Sequence, residues 1–465
     1  MILVIGASGR IGGYLYTKFI HDGIDIVGTY CNNKKPKLVH FDLSSMNLID
    51  LNLSPSHVIF SGALNTTPEL SKVQADSYDV NVPKTIKLLE ECFENDIVPI
   101  YISTDNVFDG VKGNYKEDDK TNPLNNYGKM KCEVESHLLT SQNPFLLLRM
   151  GKVFGIDDTL FLETYNNLST GIEKQYATDQ VFTPLYSEDL YEFLKIIIDG
   201  DYQGIYHLGS TKAVSRYEVA KSIKKYFGFD TEVVPVRIND LNLSEMRPIN
   251  IDLNIEKYLR ITGKKERELE YFFEKVIVGL DPDKWKRDSS GNSLAYFAKT
   301  KQVAVSREMI DELLLISKNM GNANVRFCLH SSPDDDLQDM VVLVYKDKIC
   351  RRLHQHKTSN EAIHIIEGKA LALIFDGQSN LIDKRVLDSN GEFAYRNAKG
   401  TFHTYFPLTD YVVLREIRYQ KYGVDYVLPE WDWTEVMETH LPQEDLRCYN
   451  KFCKTPCRFI EQGVH

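Results

Sequence analysis

Short apolar runs alternate with amphipathic stretches over the first 150 residues of the chain. The runs have the length of buried strands, and the stretches between them repeat apolar residues at the spacing of a helix face. The runs that predict strands are "ILVIGA", "DIVGTY", "LVHFDL", "HVIFSGA", "VPIYIST" and "FLLLRM". Strands that alternate with helices in this way predict an α/β fold with a doubly wound parallel sheet.

The pattern changes beyond this region. Residues 151–275 are more irregular, with helices predicted near "SEDLYEFLKIIIDG" and "SRYEVAKSIKKYFG", and they indicate a small lobe that covers a substrate. Residues 281–301 are polar and contain Pro, Gly and Ser, as linkers do. From residue 302 onwards, one short helix precedes a series of apolar runs joined by tight turns, which predicts an all-β barrel or sandwich.

The length of the chain indicates more than one domain. At 465 residues it is too long for a single hydrophobic core. We therefore expect an α/β domain with its lobe over residues 1–280, a linker over 281–301, a β domain over 302–436 and a cysteine-containing tail over 437–465.

The composition excludes several classes of protein. Hydrophobic residues make up 43% and charged residues 26%, as in an ordinary globular protein. The net charge is −11 and no basic stripe is present, so we expect no nucleic-acid partner. The apolar runs are too short to span a bilayer and the first residues do not resemble a signal peptide, so we expect no membrane partner. Eight cysteines in a chain of this length, mostly within apparent helices or strands, favour a reducing, cytoplasmic location.

A glycine-rich turn follows the first predicted strand. The run "VIGASGRIGGYL" places Gly6, Gly9 and Gly12 where backbone N–H groups and a helix N-terminus receive a pyrophosphate. Three glycines alone would also fit an ordinary turn. Their position between a strand and a helix predicts a Rossmann-type dinucleotide site.

The residues after the second strand indicate which dinucleotide is bound. That strand ends in "VGTYCNNKK", without the Asp or Glu that holds the ribose in NAD sites. Arg10, Lys34 and Lys35 are instead placed to meet a 2′-phosphate, which favours NADPH over NADH. The alternative interpretation is that the two lysines only decorate a surface loop.

A tyrosine and a lysine lie four residues apart in "NPLNNYGKMKCEVE", so Tyr127 and Lys131 share one face of a helix. A carbonyl that accepts a hydride needs a proton donor at its oxygen, and a nearby cation strengthens tyrosine as an acid by favouring its phenolate. Ser103 or Thr104, at the end of the preceding predicted strand, would hold the carbonyl oxygen. Such tyrosine–lysine pairs also occur by chance, but the glycine turn upstream favours hydride chemistry.

These motifs resemble those of the extended short-chain dehydrogenase/reductases, in the dTDP-4-dehydrorhamnose reductase (RmlD-like) branch. The resemblance covers residues 1–275 and rests on "GASGRIG", "ISTDNVFDG", "PLNNYGKMKCEVE", "LRMGKVFG" and "MRPINIDLN". The family reduces a 4-keto group on a nucleotide-activated deoxysugar, so a keto-sugar nucleotide is the implied partner. Asn106 stands where this branch usually has tyrosine, and we expect this difference to affect substrate fit more than the hydride step.

The resemblance implies a role for each matching residue. The catalytic residues that it implies are Thr104, Tyr127 and Lys131. The cofactor-binding residues that it implies are Gly6, Gly9, Arg10, Ile11, Gly12, Asp42, Ala63 and Asn81. The substrate-binding residues that it implies are Ser103, Asp105, Asn106, Val107, Asp179, Gln180 and Arg247. We also expect the protein to form a homodimer.

The run "HQHKTSNEAIHIIEG" in the β domain has the residue types of a metal site. His354 and His356 alternate along one predicted strand and therefore face the same side, and Glu361 begins the next strand. His403, in "AKGTFHTYFP", is the expected fourth ligand. Imidazole and carboxylate groups that converge inside a barrel suit a divalent metal such as zinc, iron, nickel or manganese.

Two neighbouring residues are not expected to bind the metal. Strand alternation turns His364 away from the side of Glu361, and Glu367 is also set aside. The alternative interpretation of the whole group is a set of polar barrel residues that bind no metal.

The spacing H-x-H-x4-E-x6-G followed by G-x-x-H resembles the two motifs of the cupins, which fold as a double-stranded β-helix. The second motif has Ala398 in place of the usual proline, which weakens the case for His403. More narrowly, "RFCLHSSPDDDLQDMVV" and "LREIRY" resemble WbuC-type cupin metalloproteins of bacterial polysaccharide gene clusters, over residues 302–436.

The tail holds Cys448, Cys453 and Cys457, with His440 and His465 nearby. Zinc or an iron–sulfur cluster would suit these residue types, but the spacing matches no strong template. An ordinary cysteine-bearing tail is the favoured interpretation.

Together the motifs predict a bifunctional nucleotide-sugar enzyme. An NADPH-dependent 4-ketoreductase would occupy the first domain, and a metal in the second would polarise the keto group for epimerisation at C3 or C5. The domain order is similar to that of capsule enzymes that fuse such a reductase to a cupin epimerase. Two alternatives stay open: a reductase with a non-catalytic binding or dimerisation module, and a non-catalytic regulatory subunit like the partners of methionine adenosyltransferase.

Overall fold

The computed structural model describes residues 1–62, 75–155, 160–200, 202–241, 243, 245–288, 294–348, 353–419 and 426–427. The chain forms two compact units, Met1–Ile277 and Val278–His465. No helix in the described ranges is long and apolar enough to cross a membrane.

The first unit contains nine helices and thirteen strands among its described residues. Its helices are α1 (Arg10–His21), α2 (Ala75–Asp79), α3 (Thr85–Glu94), α4 (Asn126–Thr140), α5 (Phe161–Ser169), α6 (Ser187–Asp199), α7 (Arg216–Phe227), α8 (Glu256–Thr262) and α9 (Leu269–Phe272). Its strands are β1 (Ile2–Ile5), β2 (Ile26–Tyr30), β3 (Val39–His40), β4 (His57–Phe60), β5 (Val98–Ile102), β6 (Leu146–Met150), β7 (Val153–Phe154), β8 (Lys174–Ala177), β9 (Val181–Phe182), β10 (Leu185–Tyr186), β11 (Gly204–Leu208), β12 (Val214–Ser215) and β13 (Val233–Val236).

One parallel sheet of seven strands forms the centre of the first unit, in the order β11-β6-β5-β4-β1-β2-β3. The six runs predicted as strands all lie in this sheet, which confirms the Rossmann-type fold, and β11 completes it. The strand order reverses between β1 and β4. Ligands of such sheets bind beside the carboxyl ends of the strands at this reversal.

Smaller elements follow the sheet. Three two-stranded pairs, β7 with β10, β8 with β13 and β9 with β12, lie in the region predicted as a lobe. Short turns of 3-10 or π geometry complete the first 278 residues at Leu48–Leu51, Val80–Lys84, Asp105–Val107, Ile238–Asp240 and Phe273–Val278.

Strand β6, the second strand from one edge of this sheet, carries a buried charged residue. All five of its residues are buried, including Arg149, which is 1% exposed. Glu135 of α4 is 0% exposed, and its Oε2 accepts hydrogen bonds from Nε and Nη2 of Arg149 at 3.1 and 2.8 Å. The guanidinium also donates to the backbone oxygen of Glu117 at 3.1 Å and lies 5.1 Å from the centre of the Phe108 ring. A buried charge needs such partners because its removal from water is costly.

Two hydrogen bonds, one of which involves Glu135, connect α4 to the end of β5. Oγ of Ser103 donates to Oε1 of Glu135, and Nζ of Lys131 donates to the backbone oxygen of Ile102 at 2.8 Å. Because Lys131 and Glu135 lie one helical turn apart, they present one face of α4 to the strand end. Tyr127, one turn earlier, belongs to the same face.

The second unit is mainly β structure. Its one helix among the described residues is α10 (Arg307–Asn319), and a 3-10 turn covers Lys346–Lys348. Its strands are β14 (Trp285–Arg287), β15 (Leu294–Ala298), β16 (Val325–Cys328), β17 (Leu337–Tyr345), β18 (Gln355–His356), β19 (Glu361–Glu367), β20 (Lys369–Phe375), β21 (Leu381–Asp388), β22 (Ala394–Asn397), β23 (Phe402–Pro407), β24 (Tyr411–Tyr419) and β25 (Tyr426–Val427).

These strands form a sheet of seven in the order β14-β15-β16-β17-β24-β19-β22, a sheet of three in the order β21-β20-β23, and the pair β18–β25. One core cluster contains side chains from the two larger sheets, among them Ile363 and Leu414 of the first and Leu373 and Tyr405 of the second. The two sheets therefore enclose a common interior, as the predicted all-β domain requires.

The stretch predicted as a linker differs from that prediction. Strand β14 pairs antiparallel with β15, and β15 pairs parallel with β16, so residues 281–301 contribute to the sheet of the second unit. The ring of Trp285 stacks on Phe327 at 4.1 Å between centroids, and Tyr296 meets Phe327 edge-on at 6.0 Å. Burial of these aromatic side chains outweighs the polar composition of the stretch.

We predict that Glu135→Gln or Arg149→Met alone lowers the free energy of unfolding of the first unit by roughly 3–5 kcal/mol, because the remaining partner stays buried without its counter-charge. The double variant is expected to lose less than either single variant, since it leaves no buried charge. Urea unfolding of the full chain, followed by far-UV circular dichroism, measures the effect.

Tryptophan fluorescence provides the internal control for that experiment. The three tryptophans are Trp285, Trp431 and Trp433, which all belong to the second unit. Their transition should stay unchanged in every variant. Single variants as stable as the wild type would contradict the importance given to the pair.

Candidate functional site

The glycine turn connects β1 to the start of α1. Gly6 has a φ of +82°, a backbone conformation that favours glycine, and Gly9 caps α1, whose first turn contains no acidic residue. A Cβ at Gly12 would lie 2.3 Å from Oγ of Ser61 and 2.5 Å from the backbone oxygen of Gly6. The turn is thus closed to side chains, and the free N-terminus of α1 suits a phosphate group.

A cleft of about 660 Å³ opens beside this turn. Its lining includes Gly9, Arg10 and Lys35, together with the rings of Tyr14 and Tyr16. Two cationic side chains therefore reach the cleft that the glycine turn faces. Lys34, the third cation predicted for a 2′-phosphate, is exposed and does not line it.

Other residues expected at the cofactor site are found in different settings. Ile11 packs against the core of the first unit, whereas Asn81 lines a small cavity with Tyr127 and Lys131. Asp42 follows β3 and accepts hydrogen bonds from N and Oγ of Ser44 at 2.9 and 2.7 Å, which hold its pKa below the usual value. Ala63 lies outside the described residues.

The two hydroxyl groups at the end of β5 that could hold a carbonyl oxygen, those of Ser103 and Thr104, have different hydrogen-bond partners. Ser103 is 3% exposed and its hydroxyl donates to Glu135, so its donor is already used within the protein. Thr104 caps the following turn, where Oγ1 accepts from the backbone N–H of Asn106 at 3.2 Å. The Thr104 hydroxyl also donates within the protein, to Asp105, so it is the hydrogen bond between Thr104 and Tyr127 that favours Thr104 over Ser103.

Asp105 and Asn106 form a hydrogen-bonded chain next to Thr104. Oδ1 of Asp105 accepts from Oγ1 of Thr104 at 3.1 Å and from Nδ2 of Asn106 at 2.8 Å. Nδ2 of Asn125 donates to Oδ1 of Asn106 at 3.2 Å. Burial raises the pKa of Asp105 to about 7, although these donors act to lower it.

Tyr127 lies at the start of α4 and Lys131 one turn later. Burial raises the pKa of Tyr127 to about 12, helped by the charge of Asp105, while a hydrogen bond with Thr104 acts in the opposite direction. Burial also lowers the pKa of Lys131 to about 8, against the effect of Glu135. Tyr127 therefore lies within hydrogen-bond reach of Thr104 and lines the same small cavity as Lys131.

Gly128 allows this close approach. A Cβ at this position would lie 2.2 Å from the backbone oxygen of Asn106 and 2.9 Å from Cβ of Pro123. The start of α4 and the turn after β5 thus meet with only a hydrogen atom between them.

The remaining predicted substrate residues serve other contacts in the structure. Val107 is 0% exposed and belongs to the hydrophobic core. Oδ1 of Asp179 accepts from the backbone N–H of Ile238 at 2.8 Å, and Oε1 of Gln180 accepts from Nε of Arg216 at 3.0 Å. Arg247 is half-buried.

The importance of Glu135 and Arg149 is not recognised in the sequence predictions, although the sequence contains a signal for each. Glu135 follows Lys131 by four residues, which places it on the face of the catalytic candidates. Arg149 interrupts an otherwise apolar run, "FLLLRM", that predicts a buried strand. A charge in such a run implies a buried partner.

In the second unit, the four residues predicted as metal ligands form one group. The possible ligand atoms of His354, His356, Glu361 and His403 all lie within 4.8 Å of one another. Nε2 of His403 is 3.0 Å from Oε2 of Glu361, and Nε2 of His356 is 3.5 Å from Oε1. His356, Glu361 and His403 are at most 2% exposed.

Backbone hydrogen bonds hold His354 and His403 next to each other. The N–H of His403 donates to the oxygen of His354 at 2.8 Å, and their ring centroids are 4.5 Å apart. Nδ1 of His403 donates to the backbone oxygen of Thr401 at 3.0 Å, because a carbonyl only accepts. Its Nε2 therefore presents a lone pair towards Glu361 when the ring is neutral.

This donor set fits a divalent cation. Oε1 of Glu361 and Nε2 of His403 are buried, and the polar atoms that face them belong to the other members of the group, Nε2 of His356 and Oε2 of Glu361 respectively. Burial alone raises the pKa of Glu361, but His403, His356 and His354 together outweigh it and hold that pKa well below its usual value. Converging lone pairs and a buried carboxylate are compensated by a bound metal ion.

Neighbouring side chains support the group or point elsewhere. Nδ2 of Asn397 donates to Oε2 of Glu361 at 3.0 Å and also contacts the hydroxyl of Tyr405. Glu367, which was not expected to be a ligand, accepts from Nη1 of Arg307 at 2.7 Å and from the Tyr411 hydroxyl.

Other residues of the sequence predictions lie apart from the group. His364 is half-buried and alternates with the buried Glu361 and Ile363 along β19. The tail residues Cys448, Cys453, Cys457, His440 and His465 lie outside the described residues.

Comparison with known proteins gives relatives for the first unit. A curated dTDP-4-dehydrorhamnose reductase of Aggregatibacter actinomycetemcomitans is 30% identical over 238 residues, which are 48% of this chain and 77% of that protein. Methionine adenosyltransferase 2 subunit beta of Danio rerio is 26% identical over 270 residues, which are 55% of this chain and 83% of that protein.

Solved structures and a family model agree with these relatives. The dTDP-4-dehydrorhamnose reductase of Bacillus anthracis, solved in complex with NADP, aligns with a TM-score of 0.53 at 22% identity. The alignment covers 60% of this chain and 99% of that one, and it shows that the two share a fold. The family model described as the RmlD substrate binding domain matches residues 1–280. With more than half of its length matched in this way, the chain belongs to the RmlD substrate-binding-domain family.

Proposed function

We propose that the first unit reduces the 4-keto group of a nucleotide-activated deoxysugar with NADPH. The observation that carries this proposal is the meeting of Thr104, Tyr127 and Lys131 at the carboxyl end of β5. Asn81 shares a small cavity with the last two, and the glycine turn of β1 lies across the strand-order reversal of the same sheet. The 30% identical reductase relative supports the same substrate class.

The residues of the cleft support NADPH as the cofactor. Arg10 and Lys35 line the cleft next to the glycine turn, where a 2′-phosphate would meet two positive charges. No acidic residue ends β2, which closes with Tyr30. NADPH supplies the hydride when it is bound.

The proposed chemistry of the protein side chains follows from their positions. Thr104 holds the keto oxygen through its hydroxyl, and Tyr127 gives that oxygen a proton as it becomes negative. The positive charge of Lys131 favours the tyrosine phenolate and so strengthens Tyr127 as an acid. Asn106 and Asn125 present a pair of amides next to these groups and are proposed to contact the sugar.

We further propose that the second unit is a cupin whose His354, His356, Glu361 and His403 bind a divalent metal. When it is bound, the metal supplies a positive charge that polarises a keto oxygen. The neighbouring side chains orient the ligands: Asn397 holds one oxygen of Glu361, and the backbone oxygen of Thr401 fixes the His403 ring. Removal of the proton at C3 or C5 of the keto-sugar, followed by return of a proton to the opposite face of the same carbon, would make this unit an epimerase.

Two other functions are distinguished by experiment. The second unit would instead be a binding or dimerisation module if loss of the metal site left the product stereochemistry unchanged. The likeness to methionine adenosyltransferase subunit beta raises a third function, that of a non-catalytic regulatory subunit. Failure of the protein to oxidise NADPH with every 4-keto nucleotide sugar tested would favour that function.

We predict that Tyr127→Phe lowers kcat for NADPH oxidation with a 4-keto nucleotide sugar by roughly 10²–10⁴-fold, because the proton donor is removed. Tyr419→Phe is the matched control, since Tyr419 is 72% exposed and belongs to the second unit. A Tyr127→Phe variant with wild-type kcat would contradict the assignment.

The pH profile tests Lys131 separately. Its pKa is about 8, so its positive charge is present below that pH and lost above it. We predict that kcat falls as the pH rises through about 8, and that Lys131→Arg removes this fall because arginine keeps its charge. A profile with the same fall in both proteins would assign it to another group.

We predict that His356→Ala or Glu361→Gln lowers the metal content of purified protein at least about tenfold, because each removes one proposed ligand. His364→Ala, on the opposite face of β19, is the matched control and should keep its metal. Elemental analysis of the purified variants measures the effect.

The same variants test the epimerase. With metal bound and NADPH absent, the wild type should exchange solvent deuterium into a 4-keto nucleotide sugar, as followed by NMR, and the ligand variants should not. Metal binding without any exchange would leave the second unit as a non-catalytic module.

A further inference from the structure

Strand β24 carries an arginine, Arg418, into the interior that holds the candidate metal ligands. Arg418 is the register partner of Glu361 across the β19–β24 ladder, and it is 6% exposed. Alternate residues of a strand share a face, so Arg418 lies on the side of Glu416 and Leu414. Leu414 belongs to the core between the two sheets. Arg418 therefore faces the inside of the second unit.

The guanidinium of Arg418 is directed at one of the candidate ligands. Its Nη1 lies 3.0 Å from Nδ1 and 3.2 Å from Nε2 of His356. Arg415, three residues earlier on β24, has a different setting. Its Nε and Nη2 donate to the two oxygens of Asp339 at 2.8 and 2.6 Å. The two arginines of one strand thus face a carboxylate and a candidate metal ligand.

The charges at this place favour an anionic ligand. Arginine keeps its positive charge at any physiological pH, and a divalent metal bound by His356 would lie close to it. Two cations at such a distance repel each other strongly in a buried setting. Among the described residues, Glu361 and Glu416, which acts on His403, bring two negative charges, and a divalent metal together with the guanidinium would bring three positive charges. An anion in contact with both cations removes the repulsion.

We propose that Arg418 and the metal together bind an oxyanion, such as a carboxylate or the enolate-like oxygen of a deprotonated keto compound. This inference rests on the metal site proposed above. It also gives Arg418 a role in the proposed epimerisation. A keto-sugar that loses a proton next to its carbonyl gathers negative charge on the oxygen, and a fixed cation stabilises that charge.

Oxalate and Co²⁺ are the probes for this inference, used with the full-length protein. Co²⁺ uptake is measured by elemental analysis, and oxalate binding by calorimetry and by the visible absorption of the bound Co²⁺. The wild type should bind Co²⁺ and then oxalate. Arg418→Met should keep its Co²⁺ but bind oxalate at least about tenfold more weakly, because a charge-assisted hydrogen bond is lost. Arg418→Lys should lie between the two.

Arg415→Gln is the matched control, with the same change in charge on the opposite face of β24, and its affinity for oxalate should equal that of the wild type. A wild type that takes up no Co²⁺ would overturn the metal site itself. Normal Co²⁺ uptake with equal oxalate affinity in the wild type and Arg418→Met would overturn the role of Arg418. Loss of Co²⁺ in Arg418→Met would also overturn it, since the arginine would then support the ligands.

Discussion

The buried pair of Glu135 and Arg149 determines the geometry on which the first unit depends. An arginine in the buried strand β6 is tolerated only with a carboxylate beside it, and α4 supplies that carboxylate. The helix is then fixed in rotation and in position along its axis. Tyr127, Lys131 and Glu135 follow one another by single turns, so one interaction sets the place of all three relative to the end of β5. Two residues that need not touch any ligand thereby control the distance between the tyrosine and Thr104.

The second unit obtains its geometry from strand pairing. Its candidate ligands come from three separate places along the chain, and the backbone bridge between His354 and His403 joins two of them. The core cluster between the two sheets is apolar, whereas the candidate ligands are buried together with the polar side chains of Asn397 and Arg418. Asn397 and the Thr401 carbonyl then restrict the orientation of Glu361 and His403. Hydrogen bonds between paired strands therefore position the candidate residues of the second unit, as the Glu135–Arg149 ion pair positions those of the first.

Much of this architecture follows from local signals in the sequence. The glycine turn, the Tyr127–Lys131 spacing and the apolar runs each lie within a few neighbouring residues, so periodicity alone indicates them. The contacts of Ser103 and Arg418 could not be predicted in this way. Ser103 meets a helix residue 32 positions away, and Arg418 meets His356 62 positions away, so both contacts depend on packing or register. The paired strands within residues 281–301 escaped prediction because they are short and the residues that flank them are polar.

Gly128 has a consequence for how the family can diverge. The hydrogen on its α-carbon is the spacer between the start of α4 and the turn after β5, and even one methyl group would collide with the Asn106 carbonyl. The present geometry therefore accepts no larger residue at this position, not even alanine. A relative with any side chain here must differ in the turn, in the helix start or in both. The residue at this position thus marks, in a sequence alone, which lineages retain this arrangement of tyrosine and threonine.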